Sequence, residues 1–353
     1  MVAGIGNVSG LALVRALGGP EAVFAAHDHE LQAAGARREV RAALRGFARW
    51  REVDSQLARL EDVGGRLVTC EDASYPELLH HIHDPPLFLY VLGEFAPADG
   101  TAIAIVGARD ASAYGRQMAM HLSEGLVGAG VTVVSGLARG TDAAAHAAAL
   151  RARGRTIAVL GSGIDVIYPS EHHPLAMQIV KQGAVVSEYA MGAAPDAENF
   201  PGRNRIISGL SLGTIVVEAG ERSGALITAQ FAAEQGRDVF AVPGPVGART
   251  RGTHQLLRQG ACLTESAEDV LREIGPHRTA PAGALARIAL SSTEAAVLAA
   301  LDETPRVVDD LIERTGMTAG ALLETLLLLE LRGFARQLPG QQFARAGGLS
   351  AAR

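Results

Sequence analysis

The sequence predicts an α/β fold built on a doubly wound, Rossmann-like parallel sheet, with a small helical domain before it and a winged-helix domain after it. Six short β-branched runs between residues 102 and 242 alternate with helical stretches, which is the pattern of parallel strands joined by crossover helices. Apolar residues make up 48% of the 353-residue chain, enough to bury a core on each face of such a sheet. Glycine is abundant, with 41 residues, as the tight turns of this fold require.

The predicted strands bring a set of glycine-rich and polar loops to one edge of the sheet. The strands are residues 102–106, 132–134, 156–160, 184–187, 214–217 and 238–242. Ligands of doubly wound sheets bind beyond the carboxyl ends of the strands. Because the loops at those ends carry glycines, arginines and small hydroxyls, we expect a binding site there.

The loop at residues 135–140 has the sequence expected of an anion site. It follows a strand and precedes an alanine-rich helix for which Thr141 or Asp142 is the predicted N-cap. Free N–H groups and the helix dipole favour an anion at such a terminus, and Arg139 can add a bidentate contact to a phosphate. The alternative is a tight turn that binds nothing, and the clustering of similar loops at one edge favours the anion site.

Residues 200–205, Phe-Pro-Gly-Arg-Asn-Arg, are predicted to end a long loop at the same edge. An aromatic ring beside two arginines suits a nucleobase stacked on Phe200 with phosphates on the arginines. The alternative is a loop anchored by a buried Phe200, with its arginines paired to Glu188 and Glu218. The pattern alone leaves both interpretations open.

The remaining segments complete the predicted domain organisation. Residues 1–60 read as a helical domain resembling SAM or helix-hairpin-helix modules, some of which contact DNA backbones. Its arginines form either a basic face or an ordinary solvated one: Arg37, Arg38, Arg41 and Arg45. Residues 61–275 form the Rossmann-like domain, which opens with a connector carrying short strands at 66–69 and 87–92. Residues 276–290 are a linker, and residues 291–345 a winged helix whose excess of carboxylates favours contact with protein over duplex DNA.

Composition and motifs exclude several functional classes. The formal net charge is −6, so any anion site must be local. Two cysteines are too few for a disulfide framework. The histidines have no partners at the spacing of metal ligands, so no metal site is predicted. The chain has no P-loop, and Gly161 and Gly163 lack the third glycine of a dinucleotide fingerprint. No signal peptide or membrane-spanning run is predicted, so we expect a cytoplasmic protein. Because the nucleotide-binding motifs are missing, we expect no cofactor.

Several motifs, in their order along the chain, resemble the DNA processing protein DprA (Smf) family. They are Val106-Gly107-Ala108-Arg109, Ser135-Gly136-Leu137-Ala138-Arg139-Gly140, Gly161-Ser162-Gly163-Ile164-Asp165, Phe200-Pro201-Gly202-Arg203-Asn204-Arg205, Val217-Glu218-Ala219, Ser223-Gly224-Ala225-Leu226 and Ala241-Val242-Pro243-Gly244. The resemblance implies a non-enzymatic protein that binds single-stranded DNA, forms a homodimer through the Rossmann-like domain, and loads the recombinase RecA during natural transformation. It assigns the DNA-binding residues to Arg109, Ser135, Gly136, Arg139, Gly140, Phe200, Arg203, Asn204, Ser223 and Gly224.

The sequence also departs from the family pattern, and a rival interpretation exists. Thr141 replaces an aliphatic residue, His254 stands where asparagine is common, and residues 197–199 are Ala-Glu-Asn where some members carry a lysine. The rival is a hydrolase related to nucleoside monophosphate phosphoribohydrolases, with Glu218 as catalytic acid. Such enzymes have a Pro-Gly-Gly-x-Gly-Thr loop before that glutamate. This chain has Ser-Leu-Gly-Thr at 211–214, which favours the DNA-binding protein.

Overall fold

The computed structural model describes residues 2–275, 292–301, 306–331, 335–338 and 342–345. The chain divides into two compact units between residues 282 and 283. The predicted linker, residues 276–290, lies wholly outside the described residues. The finer boundary near residue 60 stays a prediction.

A nine-stranded sheet forms the centre of the first unit. In spatial order its strands are β1-β2-β6-β5-β4-β3-β7-β8-β9. Their bounds are β1 Arg66–Thr69, β2 Phe88–Gly93, β3 Ala102–Val106, β4 Thr132–Ser135, β5 Thr156–Val159, β6 Ala184–Ser187, β7 Gly213–Val216, β8 Asp238–Ala241 and β9 Cys262–Leu263. The strands from β3 to β8 are the six predicted ones, and they run parallel, so the predicted fold class is confirmed.

The sheet is wider than predicted at both edges. The two strands assigned to a connector, β1 and β2, pair antiparallel with each other and extend the sheet beyond β6. They join it because Leu89 and Val91 point into the same core as the central strands. The two-residue strand β9 adds to β8 on the other edge and is too short to be recognised from sequence.

Helices cover both faces of the sheet because side chains alternate along each strand. Ile103 and Ile105 pack against α7, α8 and α13 on one face. Ala104 and Val106 face α10 and α11 on the other. The helices of this region are α6 Glu77–His80, α7 Ala113–Gly128, α8 Thr141–Arg151, α9 His173–Gln182, α10 Asn199–Gly209, α11 Gly224–Glu234, α12 Arg251–Arg258 and α13 Ala267–Ile274, with short 3₁₀ turns at Pro97–Gly100 and Ser170–His172.

Helix α10 corrects one prediction. It begins at Asn199, so Phe200, Arg203 and Arg205 lie on a helix and not on a loop that continues to Asn204. Pro201 misled the prediction, because proline usually marks a loop. In the first turn of a helix it removes only an N–H that has no partner within the helix.

The amino-terminal segment is helical, as predicted, and is part of the first unit. Its helices are α1 Asn7–Leu17, α2 Pro20–Ala25, α3 Asp28–Ala33, α4 Arg38–Arg45 and α5 Trp50–Asp62. Gly18 ends α1 in the left-handed conformation at φ +85°, and Pro20 opens α2. The helices enclose a small core of their own that includes Leu13, Leu31 and Leu44.

The second unit has the predicted winged-helix elements. They are α14 Ser292–Ala300, β10 Arg306–Val307, α15 Val308–Thr315, α16 Ala319–Leu331, β11 Ala335–Leu338 and β12 Gln342–Arg345. β12 pairs with both other strands, and Leu311, Leu326 and Phe343 lie in its core. The sequence also predicts a hairpin over residues 334–344 that turns at Pro339 and Gly340, and that turn lies outside the described residues.

Candidate nucleic-acid interface

A cleft of about 690 Å³ opens at the carboxyl end of β3 and β7. The strand order reverses between these two strands, and in doubly wound sheets the ligand crevice lies at that point. Six of the ten predicted site residues line the cleft: Arg109, Phe200, Arg203, Asn204, Ser223 and Gly224. Ser135, Gly136, Arg139 and Gly140 do not belong to its lining.

Phe200 lies between two guanidinium groups in this cleft. The guanidinium carbon of exposed Arg109 is 5.0 Å from the ring centroid, and that of buried Arg203 is 5.8 Å from it. Both distances are within the range of a cation–π contact. Gly161 lies behind the ring, since a Cβ atom there would come within 3.0 Å of Phe200. The lone Gly-x-Gly motif thus makes room for an aromatic side chain.

Arg203 holds the floor of the cleft together. Its Nη1 donates to the carbonyl of Gly136 at 2.7 Å and to that of Val159, and its Nε donates to Asn204 Oδ1 at 3.2 Å. Burial lowers the pKa of Arg203 to about 10, against the opposing attraction of Asp142. The side chain is 4% exposed, so it presents positive charge to the cleft mainly through its field.

The loop at 135–140 is built differently from the predicted anion cradle. Asp142 accepts hydrogen bonds from the amides of Gly136 at 3.2 Å and Ala138 at 3.3 Å. Burial raises the pKa of this carboxyl group, and the charge of Arg203 and the two amides oppose the rise. Buried Ser135 donates its hydroxyl to the carbonyl of Ile105 at 2.6 Å. The amides that we expected to face a phosphate are therefore occupied by the chain's own carboxylate.

Gly140 sets the start of α8 and corrects the predicted cap. It is the N-cap residue itself, with φ +77° and no side-chain cap. A Cβ atom there would lie 2.3 Å from the carbonyl oxygen of Ala108, so only glycine fits. Thr141 donates to the same carbonyl at 3.3 Å. This hydrogen bond connects the loop after β4 to the loop that carries Arg109.

Arg139 is exposed and pairs with Glu171 at 2.5 Å. An ion pair this exposed is weak, so the guanidinium remains available for exchange with a phosphate. Arg109 and Gly140 also border a second cavity of about 620 Å³, beside Arg116. Arg109 therefore stands on the ridge between two adjoining concave surfaces.

The loop after β7 supplies the opposite wall of the cleft. Ser223 caps α11 by accepting from the amide of Ala225 at 3.3 Å, and Asn204 donates to the carbonyl of Gly224 at 3.3 Å. Nothing lies within 4 Å of the Cβ position at Gly224, so its backbone is open to a ligand. Arg222 is exposed and lines the cleft. Sequence analysis missed it, although it directly precedes Ser223.

Arg205 and Glu218 are engaged within the protein. Arg205 pairs with Glu188 at 2.7 Å and with Asp84 at 3.2 Å. Burial disfavours its charge, yet the two carboxylates outweigh that effect and raise the pKa of Arg205. The alternative pairing with Glu188 is thus correct for Arg205. Glu218 accepts instead from the amide of Ser112 at 2.8 Å and from its hydroxyl at 2.6 Å, so the alternative pairing with arginine does not hold for Glu218.

The structure shows the surroundings of two residues that depart from the family pattern. Ala197, in the segment where this chain has no lysine, lines the cleft. His254 contacts the carbonyl of Gly244 at 3.0 Å. Across the described ranges, no three histidine, cysteine or acidic side chains are grouped as a metal site would need. No helix in that part of the chain is long and apolar enough to cross a bilayer.

Comparison with known proteins agrees with this architecture. Residues 66–275 match the family described as DNA recombination-mediator protein A, and residues 278–341 match the DprA winged helix domain. The chain belongs to the DprA family. Protein Smf of Escherichia coli is 40% identical over 301 residues, covering 82% of this chain and 80% of Smf.

Two solved structures of DprA proteins are similar to the chain. DNA processing protein A from Streptococcus pneumoniae is 36% identical with a TM-score of 0.67, covering 77% of this chain and 94% of that one. DNA processing protein A from Helicobacter pylori, for which a unique single-stranded DNA binding mode is described, is 28% identical with a TM-score of 0.54. It covers 60% of this chain and 97% of that one.

Proposed function

We propose that the chain binds single-stranded DNA in the cleft between the loops after β3 and β7. One observation carries the proposal: an aromatic ring lies beside an exposed guanidinium group at a ligand-binding edge. Bases stack on aromatic rings without regard to sequence, and arginines bind the backbone phosphates. The described DNA-binding mode of the H. pylori relative supports the same ligand.

We divide the predicted site into residues that would contact the strand and residues that support them. Arg109, Phe200, Arg222 and the open backbone at Gly224 face the cleft and would touch the strand. Exposed Arg139 would take up phosphates that leave the cleft along its rim. Arg203, Asn204, Ser135, Gly136 and Gly140 shape the loops that hold these groups.

Replacing Arg109 or Phe200 by alanine tests the proposal. Arg109→Ala should weaken oligonucleotide binding equally for all sequences and reduce the salt dependence by about 0.7 in log–log slope. Phe200→Ala should cost about 1–3 kcal/mol, the usual worth of one base stack. Fluorescence anisotropy with labelled oligonucleotides of several sequences, at several salt concentrations, measures both quantities.

Arg151→Ala is the matched control, because Arg151 is an exposed, ion-paired arginine at the far end of α8. The affinity of this variant for the oligonucleotides should equal that of the unmodified chain. If the Arg109→Ala, Phe200→Ala double variant bound as tightly as the unmodified chain, the cleft would not be the DNA-binding site.

The proposal extends to partners and cellular role. The ordered motifs and the family's description as a recombination mediator support handover of the bound strand to RecA during natural transformation. They also support a homodimer formed through the Rossmann-like domain. Such a protein acts in the cytoplasm, where RecA assembles, and it needs neither a cofactor nor a catalytic group.

The rival hydrolase is less well supported. It requires Glu218 as an acid in the ligand cleft, but Glu218 is 3% exposed, is bonded to Ser112 and is absent from the lining. Its carboxylate holds the start of α7. The single feature that favours the rival is that Glu218 lies two residues after the end of β7, beside the cleft.

A further inference from the structure

Three aromatic rings, two of them exposed and one half-buried, form a cluster on the amino-terminal helices, away from the cleft residues in sequence. Phe24 of α2, Phe47 of the α4–α5 connection and Trp50 of α5 have ring centroids 4.9 to 5.5 Å apart. Phe24 is 42% exposed and Trp50 is 51% exposed. A contiguous exposed aromatic patch marks a contact surface, because rings of this size are otherwise buried.

The segment that carries Phe47 and Trp50 is rich in arginine. Residues 37–51 contain six arginines and a single acidic residue, Glu39, and two of the three rings alternate with arginines in the run Arg45-Gly-Phe47-Ala-Arg49-Trp50-Arg51. This local excess contrasts with the net charge of −6 for the whole chain. Arginine and aromatic side chains in alternation are what a single nucleic-acid strand requires, one for phosphates and the other for bases.

The arginines beside the rings are available to an outside ligand. Arg45 pairs with Asp28 at 2.9 Å and Arg49 pairs with Glu52, and all four side chains are at least 41% exposed. Such exposed pairs are worth little and exchange readily. Arg51 is exposed and makes no ion pair within the described chain. With Arg49 it borders a cavity of about 470 Å³ that reaches Ala190.

Helix α5 connects this patch to the segment that leads to the cleft. Gln56 accepts from the amide of Met191 at 2.7 Å, and Arg59 pairs with Asp165 at 2.5 Å. The segment that begins at Met191 continues to α10, which carries Phe200. The patch is therefore fixed to the same unit as the cleft.

We propose that Phe24, Phe47 and Trp50, with Arg45, Arg49 and Arg51, form a second contact site for single-stranded DNA. The site rests on the proposed function, since it takes up a strand that the cleft already holds. It recognises the strand by stacking at least one base on Trp50 and Phe24, while the arginines neutralise neighbouring phosphates.

Trp50 is the only tryptophan of the chain, so its fluorescence reports directly on this site. The full chain is titrated with a thymidine 30-mer and with an abasic strand of the same length, while anisotropy follows binding of each. We expect the thymidine strand to quench the tryptophan and the abasic strand to leave it unchanged. Unchanged fluorescence at saturating thymidine 30-mer would overturn the second site while leaving the cleft intact. If anisotropy shows no binding at all, both proposals fail together.

Variants test the arginines without disturbing the rings. Arg45→Ala with Arg51→Ala should weaken 30-mer binding about fivefold or more and lower the salt slope by about 1.4, since two phosphate contacts are lost. The exposed control Arg15→Ala, on α1, should leave both unchanged. Binding of the double variant equal to that of the control would contradict the proposal. Quenching that depends on protein concentration without DNA would assign the patch to a second copy of the chain instead.

Discussion

Single residues of the cleft show how much chemistry the sequence reveals. Arg109 and Phe200 could be predicted because residue type and strand position together define an exposed guanidinium and an aromatic ring at a ligand edge. The role of Asp142 could not, because its bonds to Gly136 and Ala138 depend on how the loop folds back. A carboxylate that follows a glycine loop occupies the amides that a ligand would otherwise bind.

Buried His146 offers a second test at this scale. Its Nδ1 lies 2.7 Å from the hydroxyl of Thr156, which itself donates to the carbonyl of Val133. Burial, reinforced by the positive charges of His172 and Arg203, lowers the pKa of His146 to about 3. The folded protein therefore keeps the ring neutral at pH values where the unfolded chain binds a proton.

Stability should consequently fall with acidification in a way that His146→Leu removes. The unfolded histidine titrates near pH 6.5, so the contribution of His146 is complete above that pH and is lost as the pH falls towards 3. The slope in that window is about 1.4 kcal/mol per pH unit for one proton. Urea unfolding at pH 6.5, 5.5 and 4.5 should show a smaller loss in His146→Leu. Equal losses in both proteins would disprove this, and the exposed His121→Gln variant serves as control.

At the scale of elements, the strands were predictable and the helix ends were not. Buried β-branched runs such as 102–106 carry the strand signal within themselves. The start of α10 depends on Pro201 being tolerated in a first turn, and the pairing of β2 with β6 depends on tertiary contacts. Local sequence does not encode either. The loop geometry between elements therefore had to come from the structure.

Glu218 joins two elements and gives a prediction at this scale. It follows β7 and binds the amide and hydroxyl of Ser112, the N-cap of α7. Glu218→Gln should destabilise the chain by about 1–3 kcal/mol, because one of the two accepting oxygens becomes an NH2 group, which donates hydrogen bonds and cannot accept one. Chemical denaturation measures the loss, and oligonucleotide binding by the folded protein should stay within twofold.

The matched control for that change is Glu221→Gln, whose carboxylate makes only an exposed pair with Arg251. We expect its stability to change by less than about 0.5 kcal/mol. A nucleotide-hydrolysis assay of the same proteins addresses the rival function. Clear turnover that Glu218→Gln abolishes would replace the binding proposal with an enzyme.

At the scale of the whole molecule, the sequence predicted the order of the modules. The winged-helix elements predicted after the sheet are present among the described residues. The amino-terminal helices belong to the same compact unit as the sheet, through contacts such as that of Arg59 with Asp165. No periodicity in residues 1–60 announces such contacts, because they pair side chains distant in sequence.

Shortening the chain to residues 1–282 tests which of the two units binds single-stranded DNA. The first unit contains the cleft and the aromatic patch, so its affinity for single-stranded DNA should lie within twofold of the full chain. The full chain should also shorten the lag before RecA assembles on strands coated with a single-strand binding protein, followed by RecA ATPase activity. A tenfold weaker affinity of the shortened chain would place a DNA contact on the winged helix, and an unchanged lag would contradict RecA loading.

The contact between Arg109 and Phe200 has a consequence for how firmly DNA is held. For the proposed DNA complex, we expect an incoming base to take the ring face of Phe200 that the Arg109 guanidinium covers, so that the base displaces the guanidinium. We expect the displaced guanidinium to bind a phosphate of the same strand. Binding at this point is then an exchange of partners, in which a base stack and a phosphate contact replace the cation–π contact.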